Sequence, residues 1–282
     1  MQIFKEKEAL KKQVKALKKD RKSIGFVPTM GALHEGHLSL IDQALKTCDR
    51  VVVSIFVNPT QFDNPEDLNK YPRTLEKDVE RIKELSEEVI IFSPPASEMY
   101  GESLTSEEFS FDGLEYQMEG KYRKGHFNGV GTIVKKLFEM VEPDKAFFGE
   151  KDYQQLQIIK KLVEKQDLNV EVIGCPIHRE ENGLARSSRN ERLTPLERQT
   201  AAFIYQILKQ VKEDFGTKSA KEISDWVSGQ FNSQPALNLE YFEIANADNL
   251  VSIEEEDKIQ KYRAFIAAYS GEIRLIDNIA LN

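Results

Sequence analysis

His34 and His37 stand three residues apart in the stretch IGFVPTMGALHEGH, with Gly31 and Gly36 beside them. Imidazole changes charge near neutral pH, so a pair at this spacing offers one ligand two adjustable donors. A second chemical group is Gly149-Glu150-Lys151-Asp152, in which Lys151 is a flexible point ammonium suited to phosphate charge. A third is the stretch GLARSSRN, where the consecutive donors Ser187, Ser188 and Arg189 can grip phosphate oxygens. Gln61, in NPTQF, adds a neutral amide that both donates and accepts. Each has a plainer reading. The histidines could be half of a metal site or ordinary turn residues, Asp152 a helix N-cap, 183–190 a capping loop, and Gln61 an exposed amide.

The surrounding pattern decides between them at the histidines. Ile24, Phe26 and Val27 signal a strand that Pro28 should end, and from Leu38 the positions Leu38, Ile41, Leu45 and Cys48 recur at helical spacing. The two imidazoles therefore fall in a strand-to-helix turn. Unpaired helix N–H groups and the helix dipole favour anions there.

The same alternation continues. Apolar runs at 51–57, 89–92, 146–148 and 170–173 read as strands, and 75–85, 130–141 and 153–163 as helices. Residues 4–20 read as a helix whose lysines form a solvated face. Between them, 95–127 lacks periodicity apart from a possible strand at 108–111, and reads as a lid, a binding loop or a surface insertion. Residues 1–174 are thus expected to form an α/β domain, Rossmann-like, with a doubly wound parallel sheet. From 175 to 282, helices marked by Ile204, Leu208, Val211 and by Ile223 and Trp226 precede strand-like runs at 237–245, 263–269 and 273–279, which suggests a smaller α+β domain with the Ser–Arg loop near its start.

Composition removes other classes. A net charge of −8 over 282 residues argues against a general nucleic-acid binder. The two cysteines, Cys48 and Cys175, sit in apolar contexts and indicate neither a disulfide framework nor a Cys-rich metal site. No apolar run approaches the ~18 residues of a membrane span. A soluble, cytoplasmic protein is the expectation.

Taken together, PTMGALHEGH, VNPTQF, YPRT, GHF, FGEKDYQQL and SSRN closely resemble the pantothenate synthetase (pantoate–β-alanine ligase) family, and HEGH resembles the His-x-Gly-His signature of the wider nucleotidyltransferase superfamily. The resemblance implies ATP-dependent condensation of pantoate with β-alanine through a pantoyl adenylate, releasing AMP and pyrophosphate. It also implies Mg2+ held chiefly through the ATP phosphates rather than by a protein metal site, and a cytoplasmic homodimer. By the same resemblance the ATP site comprises Met30, Gly31, Ala32, Leu33, His34, Glu35, Gly36 and His37, then Gly149, Glu150, Lys151 and Asp152, then His178, Arg186, Ser187, Ser188 and Arg189. His37 matches the proton donor. Gln61 and Gln155 match the two glutamines that hold pantoate, with Gln61 also near β-alanine. The three backbone pieces are then expected to meet on one triphosphate. Two positions depart from the family pattern: His178, where a small or apolar residue is usual, and Arg186, where Met or Leu is usual. Two rival functions fit these residues less well. An adenylyltransferase acting on a phosphate ester should need more basic residues than the neutral pair Gln61 and Gln155, and a non-catalytic nucleotide-binding regulator should have lost His37 or Lys151.

Overall fold

The computed structural model describes residues 1–62, 65–253, 257 and 259–282. Its first sheet has six parallel strands, β1 (Gln2–Phe4), β2 (Ile24–Thr29), β3 (Arg50–Ile55), β4 (Ile90–Phe92), β5 (Lys145–Gly149) and β6 (Glu171–Cys175), in the order β1-β4-β3-β2-β5-β6. The chain winds outward from β2 through β3 to β4, then returns to place β5 on the other side of β2. The sheet's switch point is therefore between β2 and β5, the place where open α/β sheets bind ligands beyond their carboxyl ends.

Adjacent strand residues face opposite sides, which is why this sheet can carry two helical layers. Val27, Val53, Ile91 and Phe147 pack with Leu40, Ile41 and Ala44 of helix Glu35–Thr47 and Ile82 of helix Leu75–Leu85. Their neighbours Phe26 and Phe148 instead meet Phe138 of helix His126–Val141, with ring centroids 6.1 and 6.4 Å away. Helix Lys7–Lys19 buries Leu10, Val14 and Leu17 and packs beside it.

Two expectations are corrected. A three-residue strand precedes the first helix and pairs in parallel with β4, so the sheet has six strands rather than the five that the apolar runs suggest. Residues 108–111 form no strand. The extended backbone there is satisfied by side chains: the N–H groups of Glu107, Phe109 and Phe111 donate to Thr132 Oγ1, Asn128 Oδ1 and Glu115 Oε1. With every second N–H taken this way, no partner strand is needed. The rest of 95–127 holds the short helices Ala96–Tyr100 and Met118–Tyr122.

The chain divides into two compact units. One comprises Met1–Glu115, Glu119–Glu150 and Gln155–Pro176; the other takes Tyr116–Met118, Lys151–Gln154 and Ile177–Asn282. The second unit is built on the antiparallel sheet β7 (Asn238–Asn246), β8 (Tyr262–Ser270) and β9 (Ile273–Ala280), in that order. Helices Phe203–Asp214 and Ala220–Asn232 lay Ile204, Leu208, Val211, Ile223 and Val227 against Ala264, Ile266 and Leu275. A smaller α+β unit thus accompanies the doubly wound one. No described helix is long and apolar enough to cross a membrane.

Gly129 is where helix His126–Val141 meets the turn Pro59–Gln61: a Cβ on it would lie 2.3 Å from the Thr60 carbonyl oxygen. Backbone on backbone leaves nothing flexible to yield. Gly129→Ala is expected to cost about 1–3 kcal/mol, the usual range for overpacking, as a lowered urea midpoint at unchanged m-value.

Candidate active site

The turn between β2 and helix Glu35–Thr47 adopts a conformation that most side chains avoid, with φ of +83° at Gly31 and +50° at Ala32. A buried carboxylate holds it there. Asp78, 2 % exposed, accepts from the N–H of Ala32 at 3.0 Å and of Leu33 at 2.7 Å, and from Thr74 Oγ1 at 3.2 Å. Arg81, one turn further along the same helix, donates to the Leu33 carbonyl at 3.0 Å and lies 3.7 Å from Glu35. On the strand side, Thr29 Oγ1 accepts from Gly31 N–H at 3.2 Å and donates to the Ser54 carbonyl at 2.8 Å. Thr74, Asp78 and Arg81 are four and three residues apart, one helical face, and that spacing beside YPRT is the signal by which the sequence could have shown them.

His34 is the N-cap of the following helix and His37 its third residue. Their rings stack with centroids 4.1 Å apart, and His37 Nδ1 accepts from the His34 N–H at 3.4 Å. An accepting Nδ1 places the proton of the neutral ring on Nε2, so His37 keeps a donor. Met30, Gly36 and Glu35 complete this turn, partly exposed. Gly149 ends β5, the strand next to β2, and Glu150 follows it.

Gln61 belongs to the same unit and reaches the same turn: its Nε2 donates to Met30 Sδ at 2.8 Å. Its Oε1 accepts from Asn58 Nδ2 at 3.2 Å, and its carbonyl meets His126 Nδ1 at 2.8 Å and Arg123 Nη2 at 3.4 Å. The aperiodic 95–127 segment thus ends against the Gln61 loop. Gln155 sits half-buried near the start of helix Tyr153–Lys165, and no hydrogen bond joins it to Gln61 among the described residues. Asp78, Asn58 and Arg123 are the supporting residues that sequence reasoning missed.

The second unit assembles the remaining groups on β9. Asn278, 1 % exposed, donates from Nδ2 to the Lys151 carbonyl at 2.8 Å, while its Oδ1 accepts from Arg263. Its neighbour Asp277 takes both guanidinium nitrogens of Arg179, at 2.6 and 2.9 Å. Burial pushes the Asp277 carboxyl up, against the opposing charges of Arg179 and Lys151. Arg179 opens a hairpin closed by its bridge to Ala185 and by the bond from Arg186 N–H to the His178 carbonyl at 2.9 Å. His178 and Arg186 are therefore backbone partners. The Arg186 guanidinium lies 3.6 Å from Glu180. Ser187 caps the short turn Ser188–Arg192 by accepting from the Arg189 N–H, and buried Asn190 ties that turn to Ala185 and Glu180. Lys151 Nζ lies 3.7 Å from the half-exposed Asp152 carboxylate. Among the described residues, no group of three or more His, Cys, Asp or Glu is arranged to hold a metal.

The model of the pantoate–β-alanine ligase family matches residues 2–280. The chain belongs to that family. It is 60 % identical to the pantothenate synthetase of Christiangramia forsetii and 56 % identical to that of Flavobacterium psychrophilum, each covering 100 % of both chains. The crystal structure of pantothenate synthetase from Thermus thermophilus superposes with a TM-score of 0.91 at 37 % identity, covering 100 % of this chain and 99 % of the other. A pantoate–β-alanine ligase from Francisella tularensis, solved with β-γ ATP and β-alanine, superposes with a TM-score of 0.83 at 38 % identity over 100 % of this chain and 98 % of that one. As a pantoate–β-alanine ligase, the chain is an enzyme that makes pantothenate from pantoate and β-alanine.

Two expectations follow from the geometry. Asp78→Ala leaves the Ala32 and Leu33 N–H groups without their acceptor; each orphaned buried group costs about 1–3 kcal/mol, read from the denaturant midpoint, and ligase activity should fall further because the turn loses its shape. At Glu180, burial pushes the carboxyl up, but hydrogen bonds from Arg198 and Asn190 and the charges of Arg198 and Arg186 outweigh it and leave it below its usual value. A depressed carboxyl stabilises the fold above its unfolded pKa and loses that contribution as pH falls through the lower folded value. The stability gap between wild type and Glu180→Gln should thus be widest near neutrality and close on the acid side, as followed by thermal melts across pH.

Proposed function

We propose that ligation runs in two steps on this scaffold. A pantoate carboxylate oxygen attacks the α-phosphorus of ATP, and the bond to the β-phosphate breaks to release pyrophosphate. The β-alanine amine then attacks the acyl carbon of the pantoyl adenylate, the carbon–oxygen bond to AMP breaks, and the amine gives up a proton. Adenylation is needed because oxide is a poor leaving group and AMP a good one.

The observation that carries this reading is the clamped turn at the carboxyl end of β2, beside β5, where the sheet's switch point lies. The turn Met30–His37 offers two imidazoles and the N-terminus of helix Glu35–Thr47 to a triphosphate, the N–H groups of Gly31 to His34 being spent in shaping the turn. In this scheme His37 donates from Nε2 to negative charge developing on the phosphates, and His34 contacts the same groups. Gly149 and Glu150 flank the nucleotide from β5. In the second unit, Lys151, Ser187, Ser188 and Arg189 contribute cationic and hydroxyl contacts to phosphate, with Asp152 beside Lys151. His178 and Arg186 serve through their paired backbone, since the Arg186 guanidinium is directed to Glu180. Gln61 and Gln155 bind pantoate, and Gln61 also lies near β-alanine.

Mg2+ is expected to arrive on the ATP phosphates. The donors around the turn are imidazoles and N–H groups, which suit phosphate oxygen better than a hard cation that prefers oxygen ligands and retained water. Bound to the nucleotide, it would neutralise phosphate charge. A homodimer working in the cytoplasm completes the proposal.

His37→Ala is the direct test. It should fold with a midpoint close to wild type while pantoate-dependent exchange of pyrophosphate into ATP drops by roughly 10²–10⁴, the range of a positioned acid–base group. Exchange near the wild-type rate would remove His37 from the chemistry.

A further inference from the structure

One end of the Gln61 amide is oriented by a chain of hydrogen bonds that begins at a group unable to reverse. The Gly129 carbonyl can only accept, and it takes Asn58 Nδ2 at 3.1 Å. Asn58, 1 % exposed, must then turn its Oδ1 the other way, where it receives the Tyr100 hydroxyl at 2.5 Å and Thr60 Oγ1 at 3.2 Å. Thr60 Oγ1 also lies 2.9 Å from the Tyr100 oxygen, so with the Tyr100 hydrogen committed to Asn58 the single Thr60 hydrogen is shared between the Asn58 and Tyr100 oxygens. The remaining Asn58 N–H points to Gln61 Oε1 at 3.2 Å, so that oxygen faces inward and the Gln61 NH2 is presented to the other side. One of its two hydrogens goes to Met30 Sδ. Among the described residues the other meets no acceptor, and it is the donor offered to a ligand.

Tyr100 closes this chain from the short helix Ala96–Tyr100, in the segment that the sequence reads as a lid, a binding loop or a surface insertion. Its ring is independently held, with its centroid 6.4 Å from that of Phe56 and Lys136 Nζ 5.7 Å from it. Burial pushes the phenol up, so its O–H persists as a donor to Asn58.

We propose that Tyr100 is a positioning residue for pantoate: by fixing the Asn58 amide plane it holds Gln61 with an Nε2 hydrogen aimed at substrate oxygen. The hydroxyl of Tyr100 touches no reacting atom in this scheme. Its effect is on which atom of Gln61 the substrate meets, and it rests on the reading of Gln61 as a pantoate ligand.

The experiment is the pantoate-dependent pyrophosphate exchange reaction, which omits β-alanine. Tyr100→Phe keeps the ring and removes the donor; loss of one neutral hydrogen bond predicts roughly a three- to tenfold rise in the KM for pantoate, with the KM for ATP and kcat near wild type. Thr60→Val, removing the other hydroxyl on Asn58 Oδ1, should move the same parameter in the same direction. Gln61→Glu, which puts oxygen where the donor should be, should raise it more than either. An unchanged pantoate KM in both Tyr100→Phe and Thr60→Val, with Gln61→Ala raising it, would overturn the positioning role and leave the Gln61 assignment standing. An unchanged value in Gln61→Ala would remove the assignment and the proposal with it. A merely structural role would lower the active fraction, and with it kcat, without a selective rise in the pantoate KM, and that result too would overturn the proposal.

Discussion

The geometry of the histidine turn depends on one buried carboxylate. Positive φ at two consecutive residues, one of them Ala32, is backbone strain that an isolated segment would relax. Asp78 makes the strained form the favourable one by accepting from two successive N–H groups that the turn would otherwise bury unpaired. The charge is itself well placed, in the first turn of helix Leu75–Leu85 where the helix dipole favours an anion. The histidines therefore stand on a turn shaped before any ligand arrives, and preorganised donors are what make electrostatic stabilisation of a phosphoryl transfer effective.

A second constraint works by polarity. The Gly129 carbonyl sets the Asn58 amide, and the Asn58 amide sets Gln61. This requires helix His126–Val141 to approach the turn Pro59–Gln61 closely enough that no Cβ fits at 129. The same helix supplies Phe138 to the core and Asn128 and Thr132 to the backbone at 107–109. One element therefore packs the sheet, replaces a partner strand for the aperiodic segment and orients the Gln61 loop.

In the second unit the corresponding support is ionic and buried. Arg179 and Asp277 form a bidentate pair, and the guanidinium also lies 3.7 Å from the Tyr205 ring centroid. Desolvating both charges offsets much of their attraction, while the bidentate geometry ties the hairpin to β9. Gly183, at φ +96°, closes that hairpin against Tyr205, which a Cβ would approach to 2.6 Å. The adjacent Asn278 anchors the Lys151 carbonyl, so two consecutive residues of one strand place both the lysine junction and the hairpin leading to the Ser–Arg loop.

Groups whose chemistry suits a phosphate ligand were legible as candidates because that chemistry restricts them to a few residue types at short spacing: His34 with His37, Lys151 with Asp152, Ser187 to Arg189. The parallel sheet was legible for a related reason, since strands buried on both faces read as apolar runs. The supporting residues were not. Asp78 bonds the turn from 45 residues away, and Asn58 bonds Gly129 from 71 away, so neither has a local signature. β1 is three residues long, shorter than any periodicity, and is defined by its pairing with β4. The alternation of Phe109 and Phe111 was a sound strand signal that failed because a strand is identified by what its N–H groups bond. Side chains of a helix 19 and 25 residues later supplied those bonds. What a short pattern can declare is the chemistry a residue offers; the direction in which it is offered is set by partners that only the folded chain brings near.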